Sequence, residues 1–247
     1  MYFIANWKMY GNLSSINTVK NVINLSKKTK FKKIKIIYCP PYTLLRPLIK
    51  KLRKSKIQVG AQNCHTDNEF GAYTGSVNAK MIKSVGGKFV IIGHSENRLE
   101  GDSNKKINLK IKSSLKENLK IIFCIGESFD DRNNDRTHEV IQTQLTRGLA
   151  DLQDTQLSQL VLAYEPIWAI GTGIIPKSND LDKQVKTIKK ILNKRFKSKN
   201  PKVLYGGSVN SKNIKDLRQI RSIDGFLIGG ASQNSKNLID IIKKSIN

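Results

Sequence analysis

Short apolar runs alternate along the chain with longer segments in which apolar residues recur every three or four positions. Eight runs occur, at residues 3–5, 34–39, 57–59, 89–92, 121–125, 160–163, 203–205 and 226–228. Helical stripes lie between them, and three are Val140, Ile141, Leu145, Leu149 and Leu152; Leu181, Val185, Ile188, Leu192 and Phe196; and Leu238, Ile239, Ile242 and Ile246. The pattern predicts buried strands that alternate with amphipathic helices.

This alternation predicts parallel strands joined by right-handed crossovers. Eight units in 247 residues is the count of a closed (β/α)8 barrel, a TIM barrel of eight parallel strands ringed by helices. An open doubly wound sheet is the alternative. That fold usually has a glycine-rich fingerprint after its first strand, where this chain has Asn6-Trp7-Lys8-Met9. No shift in composition marks a boundary, so we expect one catalytic domain over residues 1–247.

The composition indicates a protein that works in the cytoplasm. No run approaches the ~18 apolar residues of a membrane span, and the N-terminus lacks the pattern of a signal peptide. Cys39, Cys64 and Cys124 are odd in number and widely spaced, which favours reduced thiols over disulfides or a metal site. His65, Cys64 and Asp67 have no recognised ligand spacing, so we expect no metal.

The net charge of +25 raises the question of an anionic partner. Lys outnumbers Arg by 35 to 9, and the lysines are spread from Lys8 to Lys244. Specific phosphate and base recognition favours Arg and clustering. We therefore expect a solvated, lysine-rich surface, with no specific nucleic-acid partner and no membrane partner.

Candidate chemistry lies at the predicted C-terminal ends of the strands, where barrels place their active sites. Glu165 follows the sixth strand, and Pro166 ends that strand because it cannot continue the ladder. The glycines after it allow a mobile lid. Glycine pairs follow strands seven and eight and suit phosphate binding. The other candidates at these ends are Asn6, Lys8, His94, Glu96, Cys124, Glu127 and Ser208.

Each of these residues has a simpler explanation when taken alone. Residues 163–173 can be a proline-terminated strand and a glycine-rich turn, and each glycine pair can be a tight turn. A single histidine is more often structural than catalytic, and Lys8 is one of many lysines. Their shared position at one barrel mouth is what indicates an active site.

Seven segments closely resemble the triosephosphate isomerase family, in order and over essentially the whole chain. They are Asn6-Trp7-Lys8-Met9, Gly71-Ala72-Tyr73-Thr74-Gly75, Gly93-His94-Ser95-Glu96, Cys124-Ile125-Gly126-Glu127, residues 163–173, Tyr205-Gly206-Gly207-Ser208-Val209 and Gly225-Phe226-Leu227-Ile228-Gly229-Gly230-Ala231-Ser232. The resemblance implies interconversion of dihydroxyacetone phosphate and glyceraldehyde 3-phosphate through an enediolate, in glycolysis and gluconeogenesis, without a metal or organic cofactor.

The resemblance also implies residue roles. Glu165 would move the proton between the two carbons, and a neutral His94 would polarise the carbonyl. This family is itself the standard example of an imidazole kept neutral by a helix N-terminus. Lys8 would offset negative charge. Substrate binding would involve Asn6, Lys8, Gly171, Ser208, Gly229 and Gly230, with support from Glu96, Cys124 and Tyr205.

Two loops would have roles of their own. A lid would comprise Pro166, Ile167, Trp168, Ala169, Ile170, Gly171, Thr172, Gly173, Ile174, Ile175 and Pro176. The long loop at residues 63–76, with Gly71, Ala72, Tyr73, Thr74 and Gly75 at its tip, would dock on a second copy and form a homodimer.

The chain departs from the family pattern at two places. The family usually has Glu and Arg where this chain has Ser76 and Asn97, and the resemblance implies that those two charges form a salt bridge near the interface. Both are missing together, so no orphan charge remains, and we expect the dimer to persist. The family commonly continues the lid as Lys-Thr-Ala, where this chain has Ile174-Ile175-Pro176. Pro176 lacks the N–H that the tyrosine matching Tyr205 would bond, which predicts altered lid motion.

Two other functions remain possible from the sequence. One is another phosphate-binding barrel enzyme, either aldolase-like or of the indole-glycerol-phosphate type. That class needs a Schiff-base lysine or a larger pocket, and Lys8 is the one lysine at a predicted strand end near the site. The other is a binding protein that uses the basic surface.

Overall fold

The computed structural model describes residues 1–196 and 201–246 and shows a closed barrel of eight parallel strands. The strands are β1 Tyr2–Asn6, β2 Lys35–Cys39, β3 Gln58–Ala61, β4 Phe89–Ile92, β5 Lys120–Ile125, β6 Leu160–Tyr164, β7 Lys202–Tyr205 and β8 Gly225–Ile228. Pairing of Tyr2 with Lys35 on one side and with Gly225 on the other closes the ring. The predicted barrel is confirmed, and the open sheet is wrong.

Helices follow the strands and ring the barrel. They are α1 Lys20–Lys27, α2 Tyr42–Leu52, α3 Ala79–Ser84, α4 Ser95–Leu99, α5 Asn104–Lys116, α6 Phe129–Asn133, α7 Thr137–Gly148, α8 Ser178–Phe196, α9 Ile214–Gln219 and α10 Ser235–Lys244. Short 3₁₀ segments cover Leu13–Val19, Thr29–Phe31, Asp154–Gln159, Ile167–Ala169 and Gly230–Ser232. Among these described helices, none is both long and apolar enough to cross a membrane.

Two predicted helices end before their apolar stripes do: α10 ends at Lys244, before Ile246, and the difference is larger for α7. The α7 stripe runs to Leu152, but α7 ends at Gly148. Asn108 on α5 donates from its Nδ2 to the carbonyls of Gly148 and Ala150, at 3.0 and 2.9 Å. These bonds satisfy carbonyls that a continuing helix would have used. Leu149 and Leu152 stay buried outside the helix, so the stripe correctly predicted burial but not helix length.

One apolar layer fills the barrel interior, and a second lies between the strands and the helices. Alternate strand residues point inwards, and they form a separate buried cluster from Ile4, Ile37, Phe89, Ile91, Ile122, Val161, Leu204 and Leu227. The other strand residues pack against the helices. Because the barrel interior is filled with side chains, a substrate must bind at an end of the barrel.

Candidate active site

The carboxylate of Glu165 is buried at the C-terminal mouth of the barrel. Its backbone N–H donates to the Ile125 carbonyl at 2.8 Å, and Pro166 then turns the chain out of the sheet. The Glu165 Oε1 lies 3.5 Å from Nε2 of His94, whereas Oε2 has no hydrogen-bond partner among the described residues. A Cβ on Gly206 would lie 2.6 Å from the Glu165 Cγ, so the glycine makes room for the carboxylate.

The surroundings of Glu165 suit a proton acceptor. Burial is the main influence and raises the pKa of the Glu165 carboxyl above its ordinary value. Electrostatic interaction with His94, a hydrogen bond from the Cys124 thiol and the charge of Lys8 lower this pKa by smaller amounts. A carboxylate with a raised pKa is a stronger base than an exposed one, which is what proton abstraction from carbon requires.

His94 presents one ring nitrogen to the protein and the other to the carboxylate. Gly93 takes a left-handed backbone angle of +78°, and His94 then caps the start of α4. The His94 Nδ1 accepts the backbone N–H of Glu96 at 3.2 Å. A nitrogen that accepts an N–H carries no proton of its own, so a neutral ring holds its proton on Nε2, the atom that faces Glu165.

Lys8 lies in an unusual backbone conformation that side chains around it hold in place. Its φ of 50° falls in the left-handed region, which is costly for a residue with a side chain. Asn6 Oδ1 accepts the Lys8 N–H at 3.0 Å, and Gln62 Nε2 donates to the carbonyls of Lys8 and Cys39 at 2.8 Å each. The Lys8 ammonium lies 2.5 Å from Glu96 Oε1. These bonds hold the Lys8 ammonium at the C-terminal mouth of the barrel.

A cavity of about 210 Å³ brings the predicted residues together. A volume of this order suits a small substrate. Backbone and hydroxyl donors face the polar side chains across it. The predicted residues that line it are Asn6, Lys8, His94, Glu165, Gly171, Ser208, Gly229 and Gly230.

Comparison with known proteins agrees with this geometry. The model of the family described as triosephosphate isomerase matches residues 1–245. The chain belongs to the triosephosphate isomerase family. The family prediction is therefore confirmed, and the aldolase-like and binding-protein alternatives are set aside.

Individual members of the triosephosphate isomerase family cover nearly the whole chain. The protein of Dictyoglomus thermophilum is 40% identical over 244 residues, which is 97% of both chains. The protein of Carboxydothermus hydrogenoformans is 39% identical over 250 residues, covering 99% of this chain and 98% of the relative. The crystal structure of triosephosphate isomerase from Bartonella henselae has a TM-score of 0.88 at 30% identity, with 98% of each chain covered.

Three further predicted residues lie close to this cavity. Burial and the nearby Glu165 charge raise the pKa of the Cys124 thiol well above its ordinary value, so a neutral thiol lies beside the carboxylate. Glu96 pairs with Lys8 and is half exposed. The Tyr205 hydroxyl is buried with no hydrogen-bond partner in the described part of the chain, and burial raises its pKa.

The predicted lid lies over the cavity. Ile170 and Gly171 line the cavity together with Gly229 and Gly230 on the opposite side. The base of the lid is anchored by Trp168, whose Nε1 donates to Glu127 Oε1 at 2.9 Å. Glu127 also accepts the Tyr164 hydroxyl, at 3.0 and 3.1 Å to its two oxygens. The Arg132 guanidinium lies 4.6 Å from the Trp168 ring centre.

At its far hinge the lid combines exposed and buried residues. Ile174 and Ile175 are exposed, whereas Pro176 is buried. Within the lid, the Thr172 hydroxyl donates to the Trp168 carbonyl at 3.3 Å and accepts the Ile174 N–H at 3.1 Å. These bonds hold the tip as one piece, so motion of the lid falls on its two ends.

Sequence reasoning missed three residues that position the site. Gln62 holds Lys8, and its position directly after β3 was the available signal. Arg98 donates from Nε to the Gly93 carbonyl at 2.8 Å and from Nη2 to the Cys124 carbonyl at 3.2 Å. Gln144 bonds both backbone groups of Gly126 at 2.9 Å each. Arg98 and Gln144 lie on helices, and no sequence signal identified them.

The described residues contain no cluster of three or more His, Cys, Asp or Glu side chains that would hold a metal ion. The three cysteines are free and buried. Cys64 packs beside the Ser114 hydroxyl at 3.3 Å, and His65 stacks on Tyr73, so neither belongs to the cavity next to Glu165.

Proposed function

We propose that the cavity next to Glu165 is the catalytic site at which this isomerase interconverts dihydroxyacetone phosphate and D-glyceraldehyde 3-phosphate. The observation that carries the proposal is the pairing of a buried carboxylate with the Nε2 of His94 across 3.5 Å, in a cavity that also presents glycine-rich turns. An acid–base pair covers the two proton movements that an aldose–ketose exchange requires.

Glu165 takes a proton from the hydroxymethyl carbon of the ketose, and the C–H electron pair forms the enediolate double bond. The same carboxyl group then returns the proton to the neighbouring carbon, which gives the aldose. The unpartnered Oε2 supports this role because no bond within the described residues competes for it. Net oxidation state is unchanged, so the proposed reaction needs no metal or organic cofactor.

His94 donates from Nε2 to the carbonyl oxygen as negative charge develops there, and it moves the proton between the two oxygens of the enediolate. Lys8 supplies positive charge to the enediolate and the phosphate, and Asn6 fixes the backbone of Lys8. The Gly171, Gly229 and Gly230 N–H groups and Ser208 bind the phosphate.

The lid closes over the bound intermediate and excludes water, which prevents loss of phosphate. The wider setting follows from the family and from composition. We place the enzyme in glycolysis and gluconeogenesis, in the cytoplasm, as one catalytic domain over residues 1–247. We assign it no membrane partner and no sequence-specific nucleic-acid partner.

The activity should fall as the pH drops through the raised pKa of Glu165. The unprotonated carboxylate is the active form, so kcat/KM, which reports the free enzyme, should have an acid limb with a component whose midpoint lies above the ordinary value of 4.5. The substrate phosphate titrates near pH ~6 and contributes equally in every variant. A Glu165→Asp variant is the control, because it moves only the carboxylate component. A kcat/KM that stays constant down to pH ~4.5 would contradict the assignment.

Replacing Pro176 by alanine should tighten substrate binding. The alanine restores an N–H at the hinge, where the family resemblance places the partner of the Tyr205 hydroxyl. One such hydrogen bond contributes about 1 kcal/mol, so KM should fall about fivefold and product release should slow. Tyr205→Phe in both backgrounds is the control, and it should cancel the gain. Identical kcat and KM for wild type and Pro176→Ala would refute this hinge effect.

We also propose a homodimer formed through residues 63–76. A groove of about 500 Å³ runs beside this loop, lined by Ser76, Asn97 and Lys106 among others. Large apolar side chains stand exposed around it, with Met9 94% and Leu99 86% exposed. Phe70 and Tyr73 at the tip of the loop are also exposed. Docking of the tip in the same groove on a second copy would bury these two side chains together with Met9 and Leu99.

Light scattering at micromolar concentration should give about twice the chain mass of 27.9 kDa. Thr74→Arg, at the exposed tip, should weaken the dimer at least about tenfold because it places a much larger, charged side chain in the contact. Thr146→Arg on the exposed surface of α7 is the matched control. A monomeric wild type, or equal effects of the two substitutions, would rule out this contact.

A further inference from the structure

Unpaired lysines gather at the end of the barrel opposite the substrate cavity. In a barrel of parallel strands, the residues that precede the strands all lie at the same end. Exposed lysines precede or begin β2, β3, β4 and β5, which are consecutive neighbours in the ring. We call this row the basic crescent, and its members are Lys32, Lys33, Lys54, Lys56, Lys88 and Lys120.

Backbone hydrogen bonds place two members of the crescent next to each other. The Lys88 N–H donates to the Val59 carbonyl at 2.8 Å, and the Lys120 N–H donates to the Lys88 carbonyl at 2.9 Å, which ties three strand starts together. The ends of α1 and α2 add exposed lysines beside it, such as Lys27 and Lys51. Lysines at helix ends are ordinary because they complement the helix dipole, but the crescent lysines precede strands and have no such explanation.

The crescent lacks carboxylates. Residues 1–66 contain fourteen Lys or Arg residues and no Asp or Glu. None of the six crescent ammonium groups forms an ion pair with a carboxylate in residues 1–196 or 201–246, whereas Lys8, Lys110 and Lys189 do pair with carboxylates. Glu117 lies between α5 and β5, but it is half-buried and its carboxylate accepts from Asn68 Nδ2 at 2.6 Å.

We propose that the basic crescent docks on the phosphate backbone of double-stranded nucleic acid without reading its sequence. A duplex presents one negative charge per about 1.7 Å, and lysine suits phosphate as a point charge, while base reading favours arginine. The large exposed apolar side chains of the described chain lie elsewhere, and none precedes β2 to β5. The crescent therefore has no aromatic platform for single-stranded bases and no apolar wedge for a lipid surface.

Docking through the crescent leaves catalysis free. The cavity next to Glu165 opens at the other end of the barrel, and the loop 63–76 follows a strand at that same far end. The six crescent lysines, which are far apart in sequence, share one face because each precedes or begins a parallel strand. The inference goes beyond the proposed function, since neither requires the other.

The test compares two variants with equal loss of charge. One replaces Lys32, Lys33, Lys54 and Lys56 by Gln, and the control replaces Lys183, Lys190, Lys215 and Lys236, which are also exposed. Binding to a labelled duplex of about 24 base pairs is followed by anisotropy between about 50 and about 200 mM salt. Isomerase kcat and the melting temperature report that each variant is folded.

We expect wild type to bind two unrelated duplexes equally, with affinity that falls steeply with salt. The crescent variant should lose at least about tenfold in affinity for the duplex at low salt. Its slope of log affinity against log salt should be shallower by about three. Both the affinity and the slope of the control variant should change much less. Equal losses in both variants would overturn the proposal in favour of diffuse net charge. The proposal would also be overturned if wild type did not bind the duplex, or if it bound a single strand of the same length more tightly. Crescent-dependent binding to phosphatidylserine vesicles in place of the duplex would overturn it as well.

Discussion

Replacing Glu165 by glutamine should lower kcat about 10³-fold. The glutamine side chain has nearly the same volume as the glutamate and fits beside Gly206, but its amide cannot accept a proton from carbon. Loss of a positioned general base typically costs between about 10² and about 10⁴ in rate. The proposed mechanism has no second carboxylate on the cavity to replace it, since Glu96 is paired with Lys8 and Glu127 is bonded to Tyr164 and Trp168.

Three measurements separate this loss of chemistry from loss of structure. The melting temperature of Glu165→Gln should stay close to wild type, and glycerol 3-phosphate should bind within about threefold, because the phosphate donors are untouched. Glu139→Gln, on the exposed side of α7, serves as the matched control and should keep full activity. A Glu165→Gln enzyme with kcat within about tenfold of wild type would exclude Glu165 as the base.

Replacing Lys8 by methionine should lower kcat/KM about 10³-fold. The ammonium is the cation that Asn6 and Gln62 hold at the cavity, and it faces both the developing enediolate and the phosphate dianion. Removal of one such preorganised donor costs about 10² to about 10³ in kcat, and the weaker hold on phosphate adds an effect on KM. Methionine has nearly the same length as the aliphatic part of the lysine side chain, so packing changes little.

The Lys8→Met result has a complication that a second variant resolves. Without the ammonium, the Glu96 carboxylate loses its partner at 2.5 Å and brings negative charge towards the cavity. Lys8→Met/Glu96→Gln removes both charges, and it should remain at least about 10²-fold below wild type. Lys186→Met, whose ammonium pairs with Asp182 far from the cavity, is the control. Full recovery in the double variant would mean that Lys8 serves only to neutralise Glu96.

Much of the fold and of the candidate site could be predicted from the sequence because both depend on a strand–helix unit that repeats along the chain. Each apolar run became a strand, and a barrel brings the residues that follow the strands to one mouth. That is why Asn6, His94, Glu165 and Gly229, which are far apart in sequence, line one cavity as expected. Their chemical roles stay proposals, as do the lid effect of Pro176 and the dimer.

What the sequence could not provide were contacts made across elements. Arg98 and Gln144 reach backbone groups of neighbouring strand ends, and such bonds leave no local pattern. The end of α7 was missed for the same reason, because Asn108 on another helix closes it. The sequence also did not show that Lys32, Lys54, Lys88 and Lys120 lie at the same end of the barrel, because that depends on the closed strand order. These are tertiary effects, and spacing along one element does not encode them.

The most direct test of the central claim is isomerisation of D-glyceraldehyde 3-phosphate in D₂O, followed by NMR with wild-type enzyme and no added metal or cofactor. The mechanism predicts dihydroxyacetone phosphate that carries deuterium at its hydroxymethyl carbon in part of the molecules, because the proton on Glu165 exchanges with solvent during the enediolate lifetime. Glu165→Gln should form almost none of it. Product that never contains deuterium at carbon, as a direct hydride shift would give, would contradict the predicted exchange at Glu165, and the absence of isomerisation would contradict the account as a whole.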